Sequence, residues 1–289
     1  MPAAGEGSWR WAGKWDAPSR NPFVPMVLAV VLAASAVRLL SSATAAAAGS
    51  FSRGRPVQNP SPLPVGLILP ARLAKTLSVK DAKKGVVVEA RIMQDVPLPD
   101  REKIAMRAET RGSILAVEKD ADGAGVKLTL DFNQLEDHKQ TVSIATSLRA
   151  LASNLSVQTA QTPFVSPDGG TPAGWADTVQ IGGDIRYGDG GAVRNLSKQR
   201  VGKGVLGGVL VHAAANPSKG CEGPVNGDDH LQALWVFSAD ACGVYSLKGV
   251  DIVHAGKSPP IGEITLHFAK PDMKLEAGTA LLLRVVAEP

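Results

Sequence analysis

Apolar and polar residues alternate most clearly between Gly85 and Leu148. In Val126-Lys127-Leu128-Thr129-Leu130-Asp131-Phe132-Asn133, the apolar side chains fall on one face and the polar ones on the other. Successive side chains of a strand point to opposite sides, so this pattern predicts a sheet with one dry and one wet face. Val86 to Val96 repeats it, with Val88, Ala90 and Ile92 inward and Glu89 and Arg91 outward, until Pro97 and Pro99 end the run. Gly112 to Glu118 reads as a further strand, and Lys119-Asp120-Ala121-Asp122-Gly123 as the turn after it. Thr141 to Leu148 follows the polar Glu136-Asp137-His138-Lys139. Short turns between consecutive strands imply an antiparallel arrangement.

The pattern resumes near the end of the chain. Gly204 to Ala213 and Leu231 to Leu247 read as β structure, and Ile264, Leu266 and Phe268 alternate with Glu263, Thr265 and His267. Thr279 to Val286 is nearly all apolar, which predicts a strand buried on both faces. Ala150 to Arg200 differs: it is rich in Gly, Pro, Ser, Thr, Asn and Gln, and Val179 to Ile185 is its best strand candidate. The fold class expected is mainly β, an antiparallel sandwich or partial barrel, with an N-terminal signal or anchor helix. The organisation expected is a signal peptide or anchor at 1–48, a Pro-rich linker at 49–64, a β domain at 65–149, a Gly/Pro-rich connection at 150–200 and a second β domain at 201–289. The two β blocks either pack against each other or share one barrel.

The N-terminus sets the compartment. Arg10, Lys14 and Arg20 precede an apolar run from Phe23 to Val37; Arg38 follows, and then small residues that include Ala43-Thr44-Ala45 and Ala46-Ala47-Ala48. A basic start, an apolar core of ~15 residues and Ala-x-Ala sites make a secretory signal peptide. The rival is an uncleaved anchor over residues 23–40, with Arg38 snorkelling and Leu39-Leu40 counted in the span. Either way the β domains belong in the periplasm, outside the cell or on the cell envelope. Pro56, Pro60, Pro62 and Pro64 then mark an extended linker with a reach of roughly 45 Å.

Composition narrows the function. The formal charge is +4, and half of that excess lies in the first 48 residues, so no basic footprint remains for a polyanion. Aromatic residues make up only 4%, which leaves few stacking platforms; nucleic-acid binding is disfavoured. Cys221 and Cys242 are the two cysteines. In an exported chain an even count predicts a cystine, here closing a loop of about 20 residues and contributing ~3 kcal/mol.

Candidate chemistry is sparse. Gly202-Lys203-Gly204-Val205-Leu206-Gly207 matches a dinucleotide-binding pattern, yet Gly208-Val209-Leu210-Val211 after it predicts a strand where that chemistry needs a helix. Close backbone packing at a bend accounts for the glycines better. No two of His138, His212, His230, His254 and His267 have the spacing of a zinc motif, and no cofactor is expected. One enzymatic alternative stands: Cys242 as nucleophile with His254 as its base, in a cell-wall-active enzyme. Trp235 and Phe237 share a face if Leu231 to Phe237 is a strand; they either fill the core or form an aromatic patch for a partner.

From Lys80-Asp81-Ala82-Lys83-Lys84-Gly85 through Leu135 the order of features resembles the barrel domain of TrbI-like scaffolds of type IV secretion and conjugal transfer. The matching positions are Gly85, Asp95-Val96, Arg111-Gly112-Ser113 and Val126 to Phe132; where that family has a Pro-Lys-Gly-Ser core, this chain has the degraded Arg107-Ala108-Glu109-Thr110-Arg111-Gly112-Ser113. The order of basic tail, apolar helix, Pro-rich linker and β domain is also alike. The resemblance covers about a quarter of the chain, leaves residues 150–289 unaccounted for and implies an architecture, with no functional residue carried over. The leading expectation is a non-catalytic, exported envelope protein that binds or scaffolds an envelope protein or polysaccharide.

Overall fold

The computed structural model describes residues 63–99, 102–164, 176–188, 190–214 and 230–287. The expected signal or anchor helix, both Ala-x-Ala sites and Cys221 lie outside these residues. The described chain is mainly β, with one helix among the described residues.

Strand formation follows the alternation closely in the first half. β1 (Ile68–Leu73) and the short β2 (Leu77–Ser78) lead to β3 (Val87–Ile92), whose Val88, Ala90 and Ile92 are buried. β4 (Val96–Pro97) and β5 (Lys103–Ile104) pair as a separate small hairpin. β6 (Glu109–Lys119), β7 (Val126–Leu130), β8 (Gln134–Asp137), β9 (Gln140–Ser143) and β10 (Ala145–Ala152) follow through short turns. Val126, Leu128, Leu130 and Phe132 are all buried, and Lys127 and Asn133 are exposed.

The stretch expected to be an irregular connection, 150–200, carries regular structure. β10 runs on to Ala152, and α1 (Asn154–Gln161) starts at Ser153, whose Oγ accepts the Ser156 amide at 3.1 Å. Only Val157 and Ala160 of this helix are buried, too few for a periodic apolar stripe to show in the sequence. β11 (Thr178–Val179), β12 (Ile185–Arg186), β13 (Ala192–Arg194), β14 (Arg200–Val205), β15 (Gly208–Val211) and β16 (Gln232–Ala233) then form a six-stranded antiparallel meander in chain order. Leu231 to Leu247 is not one β segment: after β16 the chain turns at Trp235, with φ 55°, before β17 (Gly243–Tyr245). β18 (Val250–His254), β19 (Ile264–Phe268), β20 (Lys274–Leu275) and β21 (Ala280–Val286) complete the fold.

The larger sheet runs β17-β10-β21-β1-β3-β6-β7-β19-β18, with β8 and β9 attached beside β6. Strands from both ends of the chain therefore share it: β21 lies between β1 and β10, and β19 pairs with β7. β8 pairs with β6 on one side and β9 on the other, and β9 is separated from β10 by Ile144 alone. The two ends of the strand order approach each other, with the Leu148 amide of β10 donating to the Ala255 carbonyl just after β18, so the sheet is a nearly closed barrel. Its interior is filled by side chains such as Leu69, Ile92, Leu128, Phe132, Leu135, Leu151 and Leu283.

A second core lies between the outside of this wall and the six-stranded meander. Ile68, Ala150, Ala152, Ala280 and Leu282 face Val193, Val209, Val211, Leu234, Trp235 and Phe237 there. β21 thus contacts apolar side chains on both faces, the physical reason for a sequence that is apolar except at Arg284. Two glutamines pin the layers together. Gln94 donates to the Val209 carbonyl at 2.9 Å and accepts the Trp235 amide at 2.8 Å, and Gln232 accepts the Ile68 amide at 3.1 Å.

Candidate functional site

The seam of the larger sheet is the best-defined place for a partner. β18 is the terminal strand of the order and, among the described residues, pairs only with β19, with a register shift between Ile252 and His254. Its sequence, Val250-Asp251-Ile252-Val253-His254, puts Val250 inside and leaves Asp251 and Val253 outside; Val253 is 57% exposed. Opposite lies β17, three residues long and parallel to β10. Beyond the end of β18, the Leu148 amide donates to the Ala255 carbonyl at 2.8 Å, a backbone bond across the seam. An edge strand carries a row of main-chain donors and acceptors that another strand can use.

His254 makes no hydrogen bond to Cys242. Cys242 is buried at 4% exposure, its amide donates to the Tyr245 hydroxyl at 3.0 Å, and no cysteine among the described residues is free. The His254 ring is engaged elsewhere: Nδ1 sits 2.7 Å from the Glu263 carbonyl and 3.0 Å from the Gly256 amide, and Nε2 lies 3.4 Å from the Ser258 hydroxyl. A nucleophile needs its base within hydrogen-bond reach, and these contacts supply none to Cys242. The aromatic patch is corrected as well. Trp235 and Phe237 are 2% and 0% exposed, packed in the second core, so neither faces a partner.

The glycine motif forms a hairpin. Gly202 to Val205 belong to β14, Leu206-Gly207 makes the turn, and β15 returns, so a strand stands where a pyrophosphate would require a helix N-terminus. A Cβ at Gly202 would stand 2.1 Å from the Leu210 carbonyl oxygen, so close backbone approach explains that glycine. Among the described residues, no group of three or more His, Cys, Asp and Glu side chains could hold a metal ion, and no helix is long and apolar enough to cross a membrane. His267 instead meets Asp120 at 2.8 Å. Compared with family models, curated proteins and solved structures, the chain matches none.

Concavity and charge add detail. A cavity of about 400 Å³ opens between the barrel and the meander, lined by Leu67, Leu98, Leu210 and Leu231 with Lys203 and His230. On the outer face of β3, β6 and β8, Arg111 reaches Glu89, Glu109 and Glu136, while Lys75 pairs with Glu89 and Arg91 with Glu109. The Lys75 ammonium holds the Glu89 carboxyl below its usual range, and Lys103 and the Met106 amide do the same for Asp95. Both contributions to stability are present above the ordinary carboxylate pKa and are lost as pH falls through the lowered values.

Asp184 has the opposite sign. Burial raises its pKa against the pull of the Ala239 amide, which donates to Oδ2 at 2.7 Å, and the nearby Asp240 adds to the rise. The folded form therefore binds the proton more tightly than the unfolded chain, and stability falls as pH climbs through that interval. Asp184→Asn keeps an acceptor for Ala239 and removes the charge. Relative to wild type, this variant is expected to gain stability as pH rises from the ordinary carboxylate range through the raised value. Denaturant titrations across that range check it; a constant difference would contradict it.

Sequence reasoning missed Arg149, a guanidinium buried at 5% exposure inside the apolar run Leu148 to Ala152. Its Nε donates to the Ala241 carbonyl at 2.8 Å, and Nη2 donates to Ala214 and Ala239 at 3.0 and 3.1 Å. Burial lowers its pKa to about 10, with the Asp240 charge opposing the shift. The available signal was a lone cation in a strand whose neighbours are all small or apolar.

Proposed function

We propose that this chain is an exported β protein of the cell envelope that works by binding or scaffolding, without catalysis, and that its partner adds a strand along β18. The observation that carries this reading is the edge position of β18 beside an otherwise nearly closed barrel, with Val253 exposed. Main-chain pairing suits a protein partner of the envelope better than a polysaccharide. The Ala-x-Ala sites after an apolar run support an extracytoplasmic setting, and such a setting would let Cys221 and Cys242 form a cystine.

The likeness to TrbI-like barrel domains supports the scaffold reading. Gly85 precedes β3, Asp95 caps the turn through the Met106 amide at 2.8 Å, and Ser113 of β6 donates its amide to Asp131 Oδ1 at 2.6 Å. The residues that carry the resemblance thus tie β3, β6 and β7 together. Val253→Lys tests the proposal, because an edge lysine blocks strand addition while a surface change of this kind moves stability by only about 0.5 kcal/mol. Cross-linking in the native host is expected to lose one specific adduct in the variant, with an unchanged melting temperature. An adduct pattern identical to wild type would contradict the proposal.

A further inference from the structure

Six non-glycine residues with positive φ occur among the described residues, and three of them line one cavity of about 310 Å³. These are Arg107 (φ 79°), His138 (φ 45°) and Lys139 (φ 70°), and all three are basic and exposed. Arg107 lies in the turn between β5 and β6; His138 and Lys139 are the two central residues of the β8–β9 hairpin. Two-residue hairpins with positive φ at both positions favour Asn-Gly, because a Cβ is disfavoured in left-handed backbone. This chain carries basic side chains at all three places.

The cations are also held ready. The Ala105 amide donates to Asp137 Oδ2 at 3.1 Å, which fixes one turn against the other. The acids around the cavity have partners of their own: Glu109 engages Arg91 and Arg111, Glu136 engages Arg111, and Asp137 lies 3.6 Å from His138. No carboxylate among the described residues lies at ion-pair distance from Arg107 or Lys139. Residues kept in strained backbone at one concave place point to a task for their side chains.

We infer that Arg107, His138 and Lys139 form a binding site for a phosphate group, carried either by a soluble anion or by a lipid headgroup. A planar guanidinium beside one ammonium and an imidazole suits a tetrahedral dianion better than a single carboxylate. The inference is independent of the compartment and of any partner at β18.

The test uses His138→Asn/Lys139→Gly in the full chain, a change that relieves the left-handed strain while removing two basic side chains. In chloride the variant is expected to melt a few degrees above wild type. Inorganic phosphate at matched ionic strength is expected to raise the wild-type melting temperature and leave the variant unmoved. Arg107→Gly, on the other turn, is expected to lose the same response. Co-flotation with phosphatidylglycerol vesicles, lost in both variants, assigns a lipid phosphate; a phosphate response without co-flotation assigns a soluble one. Equal shifts in wild type and variants, or neither shift nor co-flotation, overturn the inference.

Discussion

Gly112→Ala is expected to destabilise the protein by about 3 kcal/mol or more, among the largest losses any single methyl can cause. Gly112 lies in β6 opposite Val88 of β3, with β7 and β8 on the other side. A Cβ there would stand 1.9 Å from the Asp131 carbonyl oxygen and 2.8 Å from the Phe132 Cα. These are backbone atoms in the wall of the barrel, so no flexible side chain can swing aside. Making room would pull β6 from the 131–133 segment and break the Asp131 amide to Ser113 carbonyl bond (3.1 Å) and the Asn133 to Arg111 bond (3.0 Å). Phe132, fully buried between them, would shift as well. Calorimetry is expected to show a melting temperature lower by about 6–12 °C, at roughly 2–4 °C per kcal/mol for a protein of this size. A drop below about 2 °C would mean that the strands are further apart than described here.

Arg149→Met carries the second large effect. Methionine keeps the length and the apolar stem but removes every donor. The buried Ala241 carbonyl and the partly buried Ala214 carbonyl then lose their guanidinium donor, while the Ala239 carbonyl keeps the Ala214 amide at 2.9 Å. Each orphaned buried carbonyl costs about 1–3 kcal/mol. Relief from burying a cation offsets part of this, so a net loss of about 2 kcal/mol is expected. Arg149→Lys should fall between, because an ammonium cannot reproduce the planar fork that spans three carbonyls. Denaturant unfolding of the three proteins checks the order. A methionine variant as stable as wild type would show that the cation is dispensable. The contact has a wider role: Arg149 sits on β10 and ties the barrel wall to the chain on both flanks of 215–229, where one partner of the proposed cystine lies.

The strands that pack one face on a core were legible in the sequence. Val126 to Phe132, Val88 to Ile92 and Ile264 to Phe268 each show strict alternation, and each buries the predicted residues. The double burial of Ala280 to Val285 was legible too, since only a strand with apolar neighbours on both faces tolerates that composition. Partner choice was not. Nothing local tells Leu282 that it will lie beside Pro70 and Ala150, because strand pairing is settled by the whole chain. β11 to β13 escaped because strands of two or three residues are too short to display a period. Trp235 and Phe237 fill the core, one of the two readings the sequence allowed, but the turn there was not legible, because left-handed backbone at Trp235 leaves no mark in hydropathy. The basic cluster was invisible because Arg107 and His138-Lys139 meet only through the pairing of β6 with β8.

The proposed function has the chain working outside the cytoplasm as a cystine-stapled β scaffold. Alkylation of the protein taken from its native host without reductant, read by intact mass, tests this most directly. The account predicts that neither Cys221 nor Cys242 is modified until reductant is added, and that both are modified afterwards. Two alkylated thiols in the unreduced, folded protein would contradict it.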